Sequence, residues 1–543
     1  MKPTILSAIL WLGIMGTSFG QSFHFLENID NGMPTNTVNI ATDPTGNTYM
    51  TGTFFYELTI QDITLTSDEY MTCFLAKYDK NGILKWLKPI PASGANFPTG
   101  IVFNKVTKGV TLCGGFNDTM NINGVTHISN GNIDAFWMSL DANGNILNGA
   151  TAGGDSSDIF YDVEIDKGGN VYVLGNSDSQ EMQFNGVNQF MDATENTGLM
   201  AKFTADGSPV WMRTMTGDAN FLAYEMAVGN NGTAYLGFKS TGSYFIHNGP
   251  DELYGLIKDI SETNIILFSF TKNGDVFQST EFETSSIYSS VSDVIFDGSA
   301  TIAINFVDSI QVFGEYYYAE DGTGSIIARI NFNTLEPEWA KFIFSPYGTG
   351  IMSLKNNGNT ILCGGDFIYY AECDGLTVEN PFADPDALLV TLNRNTGLVL
   401  GFADFDNVES YDYIVDVDVD KNKNIYLAGM FNGLIYFDAM SATSNDFYYN
   451  IFLTRLNATI FKEEAISDQS AITLYPNPAV EYITINGEIQ LWEIINMEGQ
   501  IILSGIGSTS STTINLQSIP SGFYLLSTTN TNNEIITQEF VKQ

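Results

Sequence analysis

The 543-residue chain is 44% hydrophobic, 13% aromatic and only 15% charged, which supplies a large core with room for further domains and excludes a disordered chain. Its 62 acidic residues against 22 basic ones give a formal net charge of -40, because Lys and Arg are scarce rather than because Asp and Glu are abundant. That balance disfavours nucleic acid phosphates and anionic lipid as partners.

Residues 1–20 carry one cation at Lys2, an apolar stretch from Ile5 to Ile14, and Ser18-Phe19-Gly20 before Gln21. This is the pattern of a secretory signal peptide cleaved between Gly20 and Gln21. The alternative, a membrane anchor, needs a run of roughly 20 apolar residues, and this one is shorter. No later stretch is long enough to cross a bilayer, so no transmembrane segment is expected in the mature chain.

From residue 21 to 461 one phrase recurs: GNTYMTG, GVTLCGG, GNVYVLG, GTAYLG, SATIAIN, GNTILCGG and KNIYLAG. Anchored on Gly52, Gly114, Gly175, Gly237, Asn305, Gly364 and Gly429, the copies are 62, 61, 62, 68, 59 and 65 residues apart. A second phrase follows each at a similar offset, from FLAKYDKNGILKW at 74–86 to FLTRLNATIF at 452–461. Between them lies a shorter piece such as MNINGVTHIS.

Both phrases pair apolar, β-branched or aromatic runs with Asn-Gly, Asp-Gly or Gly-Asn, the signature of strands joined by tight turns. Each repeat therefore reads as strand, turn, strand, linking piece, strand, turn, strand: a four-stranded antiparallel sheet. A radial arrangement of seven such blades is favoured over a linear solenoid by the chain ends. The seventh copy lacks an outer strand, and residues 21–31, QSFHFLENIDN, supply one.

This region resembles the seven-bladed β-propeller repeat proteins, whose repeats carry phrases like GNVYVTG and FLAKLDANG. The fifth copy departs from the pattern at Asn305.

A polar linker at 462–471 precedes a unit at 472–543 made of short apolar segments punctuated by Gly, Pro, Asn and Ser, which suits a small β-sandwich. Its motifs are Tyr475-Pro476-Asn477-Pro478, then Gly499, Gly522 and Tyr524 in SGFYLL, and Val541-Lys542 at the end. In that order they resemble the type A sorting domain of the type IX secretion system of the Bacteroidota. The resemblance implies export across both membranes, the secretion machinery as a partner, and a secreted or outer-membrane surface-attached product. The alternative is a further sandwich acting as a binding module.

Four cysteines, Cys73, Cys113, Cys363 and Cys373, make no disulfide framework in a chain this long, and they read as small buried residues, with a Cys363–Cys373 bridge left open. The histidines His24, His127 and His247 show neither metal-ligand nor triad spacing. Asp416, Asp418 and Asp420 alternate like early calcium ligands, but Lys421 stands where an EF-hand loop needs Gly. Period-two alternation places the three on one face, where calcium is the one cofactor to consider. Trp86, Trp211 and Trp339 recur at equivalent places and read as repeat-packing residues.

With no catalytic constellation, the expectation is a non-enzymatic binding protein for an unidentified protein or glycan. The alternatives are an extracellular carbohydrate-active or peptide-cleaving enzyme with an acidic site, or a structural adhesin. Clustered, repeat-specific Asp and Glu at the centre would favour the enzyme.

Overall fold

The computed structural model describes residues 23–30, 38–67, 71–184, 187–190, 197–248, 251–256, 263–331, 334, 336–405, 410–437, 440–444, 449–457, 473–475, 479–486, 489–496, 501–508, 511–529 and 535–542. Of the expected site residues, Gly20, Gln21, Pro476, Asn477, Pro478 and Gly499 lie outside these. The chain divides near residue 460 into two compact units.

The larger unit is built entirely from antiparallel strands among its described residues. The anchor phrase of each copy forms the second strand of its repeat: Thr48–Phe54, Gly109–Phe116, Val171–Ser177, Ala234–Asn248, Ala300–Val312, Thr360–Ile368 and Ile425–Asn432. Each pairs on one side with a first strand and on the other with a third, and a fourth strand follows, as in Val38–Thr42, Thr48–Phe54, Thr72–Tyr78, Leu84–Pro89. Pro209–Val228 serves two repeats, its start pairing with Thr197–Phe203 and its end with Ala234–Asn248. In the last repeat the outermost strand is Phe23–Ile29, which pairs with Asn450–Leu456.

At three of the repeat glycines, Gly114, Gly175 and Gly429, strand backbones approach closely. A Cβ at Gly175 would lie 2.0 Å from the Ile159 carbonyl oxygen, and one at Gly429 2.2 Å from that of Tyr413. Gly175 and Gly429 each sit beside a register shift in the first strand. Asn305 fills that place in the fifth copy by bonding outward: its amide donates to the Ile351 carbonyl (2.9 Å) in the next repeat.

Apolar residues are buried between successive repeats rather than within one. Separate clusters join the first and second, second and third, third and fourth, fourth and fifth, and fifth and sixth repeats. Another joins Ile40, Met50 and Phe74 of the first repeat to Ala428, Met430 and Leu453 of the last. The first strands follow the same order, each packed against the next, and Tyr411–Val419 packs back on Val38–Thr42.

The linking piece is more than a connection. In every repeat it folds as a two-stranded hairpin, among them Glu57–Ile60 with Ile63–Thr66 and Thr119–Ile122 with Val125–Ile128. Two-residue turns such as Asn123-Gly124, with φ of 50° and 83°, make these possible. The first hairpin strand buries alternate apolar residues, Leu58 and Ile60 or Met120 and Ile122. Several hairpins also bond to the outermost strand of the preceding repeat, as in Gly153↔Gln183 and Thr284↔Ile310, covering part of an edge that would otherwise be free.

Strand alternation gives the repeats two unlike ends. Tight turns between first and second and between third and fourth strands gather at one end, and the repeat-to-repeat connections and hairpin bases gather at the other, from which the hairpins run back beside the fourth strands, the Gln61 amide reaching the Gly82 carbonyl (2.9 Å).

In the smaller unit, the sheet of Thr473–Tyr475, Tyr482–Asn486 and Ser511–Asn515 shares one core with the sheet of Ile501–Ile506, Leu491–Asn496, Gly522–Thr529 and Ile535–Lys542.

Candidate functional site

The first strands carry acids at matching places. Aligning DIFYDVEIDKGGN with DYIVDVDVDKNKN and SSVSDVIFDG puts Asp162, Asp293 and Asp416 in one position, and Glu164 and Asp418 in the position two residues on. Glu225 stands near the first of these places in its own repeat, and Lys355 takes the second place in the sixth.

These side chains tie repeats together. Asp162 Oδ2 accepts the Met226 N–H (2.9 Å), Asp293 Oδ2 accepts that of Leu354, and Asp416 Oδ2 accepts that of Ile40 (2.7 Å). Asp418 accepts the Thr42 N–H through Oδ2 and pairs with Lys355 through Oδ1 (2.6 Å). Ser353 does the same work without a charge, accepting the Val417 N–H (3.2 Å) and donating to Asp416 Oδ1 (3.1 Å). Each bond runs from one repeat to the next, and those to Ile40 and Thr42 span 376 residues of chain.

So many acids in little water resist ionisation. Burial, then the nearby Glu164 charge, pushes the Asp162 carboxyl up, and burial likewise raises Glu164. Glu225 is raised by burial and then by Asp162, Asp293 and Asp416. Burial raises Asp293, with Asp162 and Asp416 adding to it. Asp416 is pushed up to about 6 by burial. Burial alone would lower Lys355, but Asp418 beside it raises it overall.

Asp416, Asp418 and Asp420 have different partners. The first two bond to the first repeat, whereas Asp420 lies past the strand end and closes its own turn, accepting from the Asn422 and Asn424 N–H groups (2.8 and 3.0 Å). Among the described residues no group of three or more His, Cys, Asp or Glu side chains is arranged to hold a metal ion.

All four cysteines are buried free thiols. The histidines sit apart: His24 faces Asn81 (3.4 Å), His127 meets Thr151 (3.0 Å), and His247 meets Thr216 (3.1 Å).

At the turn end the tryptophans staple repeats. Trp86, Trp211 and Trp339 donate their indole N–H to carbonyls of Ala142, Lys272 and Arg394, each in the next repeat (3.3, 3.1 and 2.9 Å). Their cross-strand partners Lys77 and Lys202 reach the same carbonyls of Ala142 and Lys272. Phe25 packs in the same manner over the turn glycine Gly82 of the first repeat. Arg455 adds a bond to the Lys80 carbonyl.

The hairpin end is different. Every exposed tyrosine among the described residues 23–457 lies on a hairpin or beside a connection between repeats: Tyr56, Tyr288, Tyr316, Tyr318, Tyr347, Tyr411 and Tyr436. The cations avoid it, because the described lysines and arginines of these repeats stand toward the turn end, Lys239 and Lys341 apart.

In the smaller unit Gly522 pairs with Lys542, and Tyr524 stacks on Phe540 (5.7 Å) and donates to the Pro520 carbonyl (3.0 Å). The Ala479 N–H bonds to the Val541 carbonyl (2.8 Å), tying the start of the unit to its last strand. Residues 473–543 match the family described as the secretion system C-terminal sorting domain. This segment is a type IX sorting domain. A protein carrying such a sorting domain is secreted or attached to the cell surface, and the domain engages the secretion machinery. No helix among the described residues is long and apolar enough to cross a membrane.

No curated protein matches the chain. Among solved structures it is similar to Sqt1 from Chaetomium thermophilum, at 9% identity and a TM-score of 0.38, over 75% of this chain and 97% of that one. A cobalt-substituted Synechocystis ACO matches at 9% and 0.35, over 80% and 92%. PorZ, a surface component of the type IX secretion system of Porphyromonas gingivalis, matches at 10% and 0.16, over 95% and 100%. These likenesses are too distant to assign an activity.

Proposed function

We propose that the repeats form a seven-bladed propeller, closed by Phe23–Ile29, which works outside the cell as a non-enzymatic binding protein. The observation that carries this reading is the return of the last repeat onto the first: Asp416 and Asp418 bond to Ile40 and Thr42, and one apolar cluster spans both repeats. A linear stack would leave those groups at opposite ends. The first strands then line a central channel, and the hairpins surround the opposite rim from the tight turns.

The channel carboxylates favour a second reading, an extracellular hydrolase with an acidic site, since Asp162, Glu225, Asp293 and Asp416 come from four repeats and face one another. Against it, Asp162, Asp293 and Asp416 each already accept a backbone N–H of a neighbouring repeat, a role that explains those three without any substrate. A binding protein needs only the rigid frame these bonds make.

Deleting residues 23–29 from the secreted protein tests closure. The melting temperature is expected to fall by roughly 10 °C or more, since the deletion bares the edge of Asn450–Leu456 and strips the cluster it covers. An unchanged melting temperature overturns the closed ring.

A further inference from the structure

From the arrangement of tyrosines and charge at the hairpin end, we infer that the fifth and sixth repeats form a docking face for a cationic polypeptide segment, one presenting Lys and Arg side chains. This inference rests on the propeller reading, which gathers the hairpins on one rim, and it goes further by naming the chemistry of the partner.

Tyr316 and Tyr318 stand on one exposed face of the hairpin of the fifth repeat, 58% and 61% exposed, with nearly parallel rings 6.4 Å apart. Between them Tyr317 points the other way and packs, half-buried, on Phe342, so the pair is held by an inward-facing anchor rather than by its own contacts. Tyr347, in the connection from the fifth to the sixth repeat, is 60% exposed and leans on Tyr369 at 4.8 Å. Tyr369 has φ of 60°, an unusual conformation for a bulky residue, at the entry to the next hairpin.

Rings of this kind serve sugars and cations alike, and the surrounding charge decides between them. Exposed carboxylates of Asp308, Glu315, Asp374 and Glu379 belong to the same two hairpins. The cation nearest to them, Lys341, is already paired with Asp374. An ammonium or guanidinium group is attracted both to a tyrosine face and to a carboxylate beside it. A neutral glycan gains nothing from the acids, and an anionic one is repelled. The opposite end of the repeats holds most of the cations, so the attraction is directed to one rim rather than spread over the surface.

The test uses the full mature protein and a decapeptide of alternating Lys and Arg, followed by isothermal titration at low and high salt. Binding is expected to weaken as salt rises, and to weaken about tenfold further in the double variant Tyr316→Ser, Tyr318→Ser, which changes no charge. Tyr347→Ser, in a separate connection, is expected to act in the same direction, and an unchanged melting curve for each variant shows that the fold is intact. Equal affinity of the peptide for wild type and tyrosine variants overturns the inference, because general attraction to an acidic protein then explains the binding. Loss of a neutral oligosaccharide in the variants, with peptide binding kept, overturns it in favour of a glycan. Neither outcome touches ring closure, which the deletion of 23–29 reads independently.

Discussion

Asp162, Glu164, Glu225, Asp293 and Asp416 are held above the usual carboxylate range by burial and by one another, so the folded chain binds more protons near neutrality than the unfolded one. The sign follows directly. A raised folded-state pKa contributes stability that is complete below the unfolded value near 4 and is lost as pH climbs through about 6 for Asp416 and higher for the rest. The melting temperature is therefore expected to rise as pH is lowered from 8 to 5. Below about 4 the trend reverses, because Asp43, Asp79 and Asp141, whose turn hydrogen bonds outweigh the effect of burial, are held low and lose those bonds on protonation. Asp162→Asn keeps an oxygen to accept the Met226 N–H while removing the charge. It is expected to stabilise the protein by about 1 kcal/mol at pH 8 and to flatten the profile, and thermal melts across pH check this. The sequence displayed the alternation of Asp416, Asp418 and Asp420 but not its use, since the Ile40 and Thr42 N–H groups that two of them meet lie 376 residues away.

Among the elements, the tight turns and apolar runs announced antiparallel strands, and the ordered motifs from Tyr475 to Lys542 announced the sorting domain. The hairpins were half visible: Asn123-Gly124 marked a turn, yet four-residue strands are too short to show a period of two. The second phrase also carries a two-repeat rhythm. The residue at the Lys77 position is Ser139, Lys202, Ser269, Arg329, Thr391 and Arg455 in the successive repeats, so cations and hydroxyls alternate. Tryptophan crosses the cation in the first, third and fifth repeats and ties each to its neighbour. Trp211→Ala is expected to cost about 3 kcal/mol in denaturant unfolding, and Trp211→Phe, which keeps an aromatic ring but loses the N–H to Lys272 and part of the indole's packing, about 1–2 kcal/mol. Equal losses for the two would mean that the hydrogen bond, not the ring, carries the staple.

At the scale of the whole molecule, three sets of bonds link successive repeats: tryptophans and cations at the turn end, carboxylates on the first strands, and hairpins at the far rim. All three kinds meet again between the last repeat and the first, where Phe25, Asp416 and the hairpin residue Gln61, whose amide donates to Glu27 (3.1 Å), take part. The strand that completes the last sheet begins three residues after the expected cleavage point, so cleavage between Gly20 and Gln21 would free the segment on which the proposed closure depends. The most direct measurement is the distance between spin labels at Asn28→Cys and Thr443→Cys, exposed residues joined by a hydrogen bond (3.2 Å) across 415 residues of sequence. A single short distance in the secreted protein is the result a closed ring predicts. A broad or long distribution, in a protein that is otherwise folded, would contradict it.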